Sequence, residues 1–318
     1  MKLSIDELRR HIEDTLFTSL VMDRICKMPV VIKLLTEAGI DLNSVYSENR
    51  SILQCAISSI SYRCLAYFLD LGLDPFMRDI SDMRWSAAHM AAIYLSDRNI
   101  ALARLMGFVF VDPQFFSLKN YLGKPPSSCL AAPVKLSIFE KIRNIFLAYV
   151  GFHNSAERAA NLTPPDHLLA ALYYFLAAEQ MKTKVADEED DFYLKRFHLK
   201  KVVGDLREAI AHYHQAILVE GKIPDTVSEF NACLILSEEM IRTVAPDNPE
   251  RNWEIKLGDA ETFRLWNEQL MLLQNWLEER RTSFSSTGSG SSAAEDDAKK
   301  VDERTALLGE SAGLQFRG

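Results

Sequence analysis

Apolar residues return at helical spacing through most of the chain, and the stripes they draw predict an all-α protein. Near the amino end, residues 4–24 interleave charged and apolar positions as a surface helix does. Leu65, Phe68 and Leu69, then Leu102 and Leu105, keep that spacing over shorter stretches, and 138–149 makes a longer run. Residues 168–181 are apolar almost throughout, which predicts a helix surrounded by others. Residues 190–218 set Phe192, Phe197, Val202, Leu206, Ile210, Tyr213 and Ile217 on one stripe. The pattern returns over 227–244 and over 260–280, the last with Phe263, Trp266, Leu270, Leu273 and Trp276. Residues 151–165 interrupt it, ending in Thr163-Pro164-Pro165-Asp166, where Thr163 reads as a helix cap and Pro164 as the first turn. After Arg281 the stripes stop. The expected organisation is a repeat domain over 1–150, a linker over 151–165, a helical bundle over 166–281 and a disordered tail over 282–318.

The short amino-terminal stretches are copies of one another. Residues 33–43 (KLLTEAGIDLN) reappear as 66–76 (AYFLDLGLDPF), so Gly39 and Gly72 stand 33 residues apart, as do Asp41 and Asp74. Each glycine is followed by a second shared feature, residues 51–57 (SILQCAI) in one copy and 86–92 (SAAHMAA) in the other. Ser51 and Ser86 sit where a hydroxyl can cap a helix, and Gly39 and Gly72 fall just past a helix end, where a left-handed conformation suits glycine. Small residues, among them Ala56, Ala91 and Ala92, allow helices to approach closely. Residues 126–132 (PSSCLAA) give a looser third copy.

This spacing and these residues resemble the ankyrin repeat family, in which a helix beginning Thr-Pro-Leu-His is followed by one ending Leu-Leu-x-x-Gly-Ala-Asp. Residues 86–92, with His89 at the histidine position, are similar to the first part, and residues 34–41 to the second. The Thr-Pro pair is absent, and the second copy has two more residues between its glycine and its serine than the first. The resemblance implies three or four degenerate repeats behind an N-terminal cap helix, with a face of loop tips and first helices that binds a protein. On that face the scaffold does not require Arg50 and Trp85, which share the slot before the cap, or Tyr46, Met83, Arg84 and Tyr121 in the inter-repeat loops. Exposed arginine and aromatic residues are common interface anchors, so these six are the expected partner-binding residues. His89 reads as a structural hydrogen-bonder. Residues 208–217 are similar to one helix of a tetratricopeptide repeat, without its period.

Charge and chemistry narrow the function further. The net charge of −8 argues against a general nucleic-acid binder, because phosphate neutralisation needs clustered cations. The pairs Lys195-Arg196 and Lys200-Lys201 read as a solvated helix face, and the five consecutive acids Asp187–Asp191 as a solvated loop. The five cysteines are odd in number and irregularly spaced, which predicts reduced thiols and neither disulfide framework nor metal site. His212 and His214 are two apart on a helix and face different ways. No phosphate loop, hydrolase elbow, kinase signature or zincin motif occurs, so no catalytic residues and no cofactor are expected. No stretch is apolar enough to predict a membrane-spanning segment, and the first residues lack the apolar core of a secretory signal.

Residues 282–294 are Ser, Gly, Thr and Ala apart from Phe284, a composition that cannot order itself. Ankyrin-type repeats with a polar, acid-dotted C-terminus resemble substrates of the type IVB (Dot/Icm-type) secretion machinery of intracellular bacteria such as Legionella and Coxiella. The resemblance implies an exported effector that binds a host protein in host cytoplasm, with its export signal in the tail. Within the tail, Glu303, Leu307 and Leu308 also fit the acidic dileucine pattern read by clathrin adaptor complexes. Two alternatives share the same repeats: a eukaryotic cytosolic scaffold, and an enzyme whose active site lies in the helical region.

Overall fold

Successive helix ends in the first part of the chain are built alike, and this likeness sets the architecture. A computed structural model describes residues 14–18, 28–37, 39–47, 49–130, 132–224, 227–244 and 260–286. Helix α1 (Met28–Glu37) ends at Gly39, whose φ is 71°. There Gly39 N–H donates to Thr36 O at 2.9 Å and Ile40 N–H to Leu35 O at 3.0 Å. After a two-strand hairpin, β1 (Tyr46–Ser47) and β2 (Arg50–Ser51), come α2 (Ile52–Ser58) and α3 (Tyr62–Asp70). Helix α3 closes on Gly72, with φ 81°, through the same two bonds, to Leu69 O and Phe68 O. Both are Schellman closures, which need the left-handed residue that glycine supplies at low cost. Asp41 and Asp74 then accept from the backbone two residues on, and Asn43 Oδ1 accepts Asp74 N–H at 3.1 Å, tying one corner to the next.

The next pair is α4 (Ala87–Tyr94) and α5 (Ile100–Leu105). Helix α4 packs on α2 and α5 on α3, first helix to first and second to second. Buried Ala56, Ala87, Ala88, Ala91 and Ala92 keep the first helices close, and Leu65, Phe68, Leu102 and Leu105 fill the space behind. A short α6 (Gly107–Val111) and α7 (Gln114–Ser117) follow. The third copy departs from the expectation: its first-helix slot holds only a 3₁₀ turn, Pro126–Cys129, packed on α4. Three prolines over 125–133 remove the donors a full helix would need.

The predicted linker at 151–165 is largely helix. Helix α8 (Pro133–Ala160) runs unbroken for 28 residues through Gly151, because Phe146, Tyr149, Ala156 and Ala159 are all buried. The glycine lowers helix propensity by only about 1 kcal/mol, and that packing outweighs it. The cap after the break is Asp166, whose Oδ1 accepts Leu169 N–H at 3.1 Å, and not Thr163. Helices α9 (His167–Met181), α10 (Phe192–His214) and α11 (Val227–Val244) follow, the first two each ending in a π turn.

Helix α8 packs on α5 and α6 on one side and on α9 on the other, while α10 packs on α3. Phe108, Phe110, Phe115, Phe139 and Phe146 pack ring against ring across the first of these joins. Residues 1–270 accordingly form one compact unit, without the division expected between 150 and 166, and residues 271–318 form a second. Helix α12 spans Ala260–Ser286, six residues past the predicted end. In the first unit it buries Trp266 and Leu270; in the second, Leu273 and Leu277 are buried and Arg280 lies over the Trp276 ring. Of the expected N-terminal helix, 14–18 is helical, with Leu16 buried. The rest of it, and the tail signal residues Glu303, Leu307 and Leu308, lie outside the described residues.

Candidate functional site

Three loop tips project between the stacked helices; two are hairpins and the third is a tight turn of hairpin-like closure. In the first, Tyr46 pairs with Ser51 and Ser47 with Arg50, turning through Asn49 at φ 65°. In the second, Arg78 bridges Ser86 and Asp79 N–H donates to Trp85 O at 2.6 Å, with Arg84 at φ 51°. In the third, Asn120 N–H donates to Lys124 O and Lys124 N–H to Asn120 Oδ1, both at 3.0 Å. Neighbouring tips are joined: Ile80 N–H donates to Asn49 O at 3.3 Å, and Tyr121 N–H to Met83 O at 3.1 Å.

Matching side chains hold the tips from beneath. Ser51 and Gln54 form a capping box at the start of α2, and Ser86 and His89 form another at the start of α4. Each third residue also reaches the following hairpin. Gln54 Nε2 donates to Asp79 Oδ2 at 3.1 Å, and His89 Nε2 lies 3.1 Å from Lys124 O. Since His89 Nδ1 takes Ser86 N–H at 3.2 Å, the hydrogen is assigned to Nε2, which donates to the carbonyl. Burial holds the His89 pKa below the ordinary imidazole value, in keeping with a neutral structural ring. Buried Asp79 accepts from Gln54, from the Ser81 hydroxyl and from Trp85 N–H, so its carboxylate is fully engaged.

Above this base lie the side chains facing solvent. Tyr121 is 74% exposed, Ile80 62% and Leu122 56%. Arg50 and Arg84 are exposed, and Met83 and Trp85 half-buried. The Trp85 ring is tilted against His89 at 5.8 Å between centroids, so much of its surface already packs on its own scaffold. Tyr46 contributes a paired backbone. The three closures therefore gather the six sequence candidates into one run of loop tips. Ile80 and Leu122 were missed; the available signal was an apolar residue inside a polar loop, outside any helical stripe.

The helical region carries a different polar feature. His153 Nδ1 lies 2.9 Å from Oδ1 of buried Asp205, which raises the imidazole pKa. Tyr149 stacks on His153, and Tyr174 on His212. His212 Nδ1 meets His167 Nδ1 at 2.8 Å, and His167 Nε2 lies 3.2 Å from Glu220. Burial lowers the His212 pKa, with the adjacent His167 adding to the effect. A cleft of about 260 Å³ lies elsewhere, lined by Phe175, Ile235, Leu236 and the ion pair Lys182–Glu239. The Cys233 thiol is buried and pushed up to about 12, and Cys129 is also raised by burial, the reverse of what a nucleophile needs. No group of His, Cys, Asp and Glu among the described residues could hold a metal ion. No helix among them is long and apolar enough to cross a membrane.

The run of acids is a loop with Asp187, Glu188 and Asp190 exposed, as expected, but it is also anchored to the helices around it. Arg104 donates to Glu188 O at 2.7 Å, to Glu188 Oε2 at 2.9 Å and to Glu189 Oε2 at 3.4 Å. Asp191 caps α10 and takes Arg63 at 2.9 Å. Lys200 pairs with Asp70, Lys195 with Asp187, and Lys201 lies over Phe108, so the basic pairs are largely engaged as well. These contacts clamp the helical region to the hairpin stack. Compared with protein-family models, with curated proteins and with solved structures, the chain gives no match.

Proposed function

We propose that the chain is a protein-binding module, similar to ankyrin-repeat proteins, whose joined hairpin tips grip another polypeptide. The observation that carries this reading is the contrast at the tips: Ile80, Tyr121 and Leu122 are exposed, while the backbone under them is bonded from hairpin to hairpin. Apolar side chains held out on an ordered base lose little conformational freedom on binding, which favours a protein partner. The double variant Tyr121→Ala with Leu122→Ala should weaken binding of a captured partner about tenfold or more while leaving thermal stability nearly unchanged. Loss of stability with retained binding would place these residues in the scaffold and remove the reading.

The biological setting we propose is that of an exported bacterial effector acting on a host protein. It rests on the likeness of repeats plus a polar, acid-dotted C-terminus to type IVB secretion substrates. Deleting about 30 C-terminal residues should abolish translocation into host cells. Unchanged translocation would leave the binding module and take away the export claim.

A further inference from the structure

Charge at the tips runs against that of the chain. The three tip segments 46–51, 78–86 and 119–124 carry Arg50, Arg78, Arg84, Lys119 and Lys124 against Glu48, Asp79 and Asp82, in a protein of net charge −8. Asp79 is buried and spent on the scaffold. Arg50, Arg78, Arg84, Lys119 and Lys124 are all exposed, and none forms an ion pair with a described carboxylate. Elsewhere Arg63, Arg104, Lys182 and Lys200 each hold a carboxylate, while Arg98, Lys141, Arg158 and Lys184 are exposed singly, without an ion pair to a described carboxylate. The tips gather five exposed cations beside three exposed apolar side chains.

We infer that this surface recognises an acidic segment of another polypeptide that carries apolar anchor residues, with the anchors on Ile80, Tyr121 and Leu122 and the carboxylates on Arg50, Arg84 and Lys124. The inference rests on the proposed protein-binding role and adds the chemistry of the partner. Complementary charge speeds encounter and excludes basic partners, while the apolar contacts supply most of the affinity. The stable hairpin bonding favours a preformed surface over one that orders on contact.

The test uses the full chain as labelled bait against a displayed random-peptide library. Selected peptides should be rich in Asp and Glu next to aromatic or aliphatic residues. Their binding should weaken about tenfold in Arg84→Glu with Lys124→Glu, and should weaken with rising salt. Peptides lost in Tyr121→Ala with Leu122→Ala, yet free of acidic bias and indifferent to the charge reversal, would overturn the inference and keep the binding role. Absence of any peptide sensitive to either variant would overturn both. Self-association of the chain, abolished by the charge reversal, would assign the surface to a second copy and overturn the acidic-partner inference.

Discussion

The hairpin stack and the long helices that follow it are held by different means. In the stack, order is local: capping boxes at Ser51 and Ser86, Schellman closures at Gly39 and Gly72, and one side chain from each box reaching the next hairpin. Each bond spans a few residues or one repeat. In the helical region the ties are distant in sequence. His153 meets Asp205, His167 meets His212, and Arg104 reaches Glu188 and Glu189. Local ties can be repeated along a chain and leave the tip side chains exposed. Distant ties fix one packing and are spent in doing so. The lesson is that exposed side chains on an ordered base, the surface for which we propose binding, sit where the scaffold completes itself locally, and the rest of the unit acts as its buttress.

The largest expected effect breaks the buttress. Arg104→Ala removes the cation from buried Glu189 and should cost about 3 kcal/mol, because a charge left alone in the interior is costly. Urea unfolding should still be a single transition for residues 1–270, since α8 and α10 join the two regions. Two separate transitions would show that the stack and the helices are independent.

Acid should weaken the same junction. His198 is buried beside the backbone of Arg104, and its pKa is depressed to about 4. The unfolded chain takes up that proton first, so stability is full above about pH 6.5 and falls as pH drops towards 4. His89 and His212, also depressed, act in the same sense. His153 acts in the opposite one: its pKa is raised, so its contribution is present at low pH and lost as pH rises through the folded value. With three residues against one, the urea midpoint should correspond to about 2 kcal/mol less stability at pH 5 than at pH 7. Equal or greater stability at pH 5 would contradict the packing around His198.

The smallest effect sharpens the account of the stack. Ile60 ends α2 with φ 57° and the closure seen at Gly39 and Gly72, Ser61 N–H donating to Ala56 O at 2.9 Å. A β-branched residue is strained there, and its side chain is 57% exposed. Ile60→Gly should therefore raise stability by about 1 kcal/mol in thermal or urea unfolding. A loss of stability would mean that the isoleucine packs more than its exposure indicates.

The helix caps and corner closures were legible in the sequence because their determinants are local. Serine caps, corner glycines and a 33-residue interval name their own positions. The helices over 168–181, 190–218 and 227–244 were legible from periodicity alone. Three features were not. Gly151 and the prolines near 164 suggested a linker, whereas burial of Phe146 and Tyr149 carries α8 through the glycine. The tethering of the Asp187–Asp191 loop was not legible because its partners, Arg63 and Arg104, lie about a hundred residues away. Two exposed apolar residues of the candidate site, Ile80 and Leu122, went unread because exposure in a loop depends on the neighbouring hairpins, and no periodicity records it.

Amide hydrogen exchange at Ile80 and Tyr121 tests most directly whether the tips form one ordered surface. Their N–H groups donate to Asn49 O and Met83 O of the preceding hairpins, although both side chains are exposed. The account predicts marked protection at both amides, lost together when Asp79→Ala removes the carboxylate beneath. Exchange at the rate of an unstructured loop in the unmodified protein would contradict it.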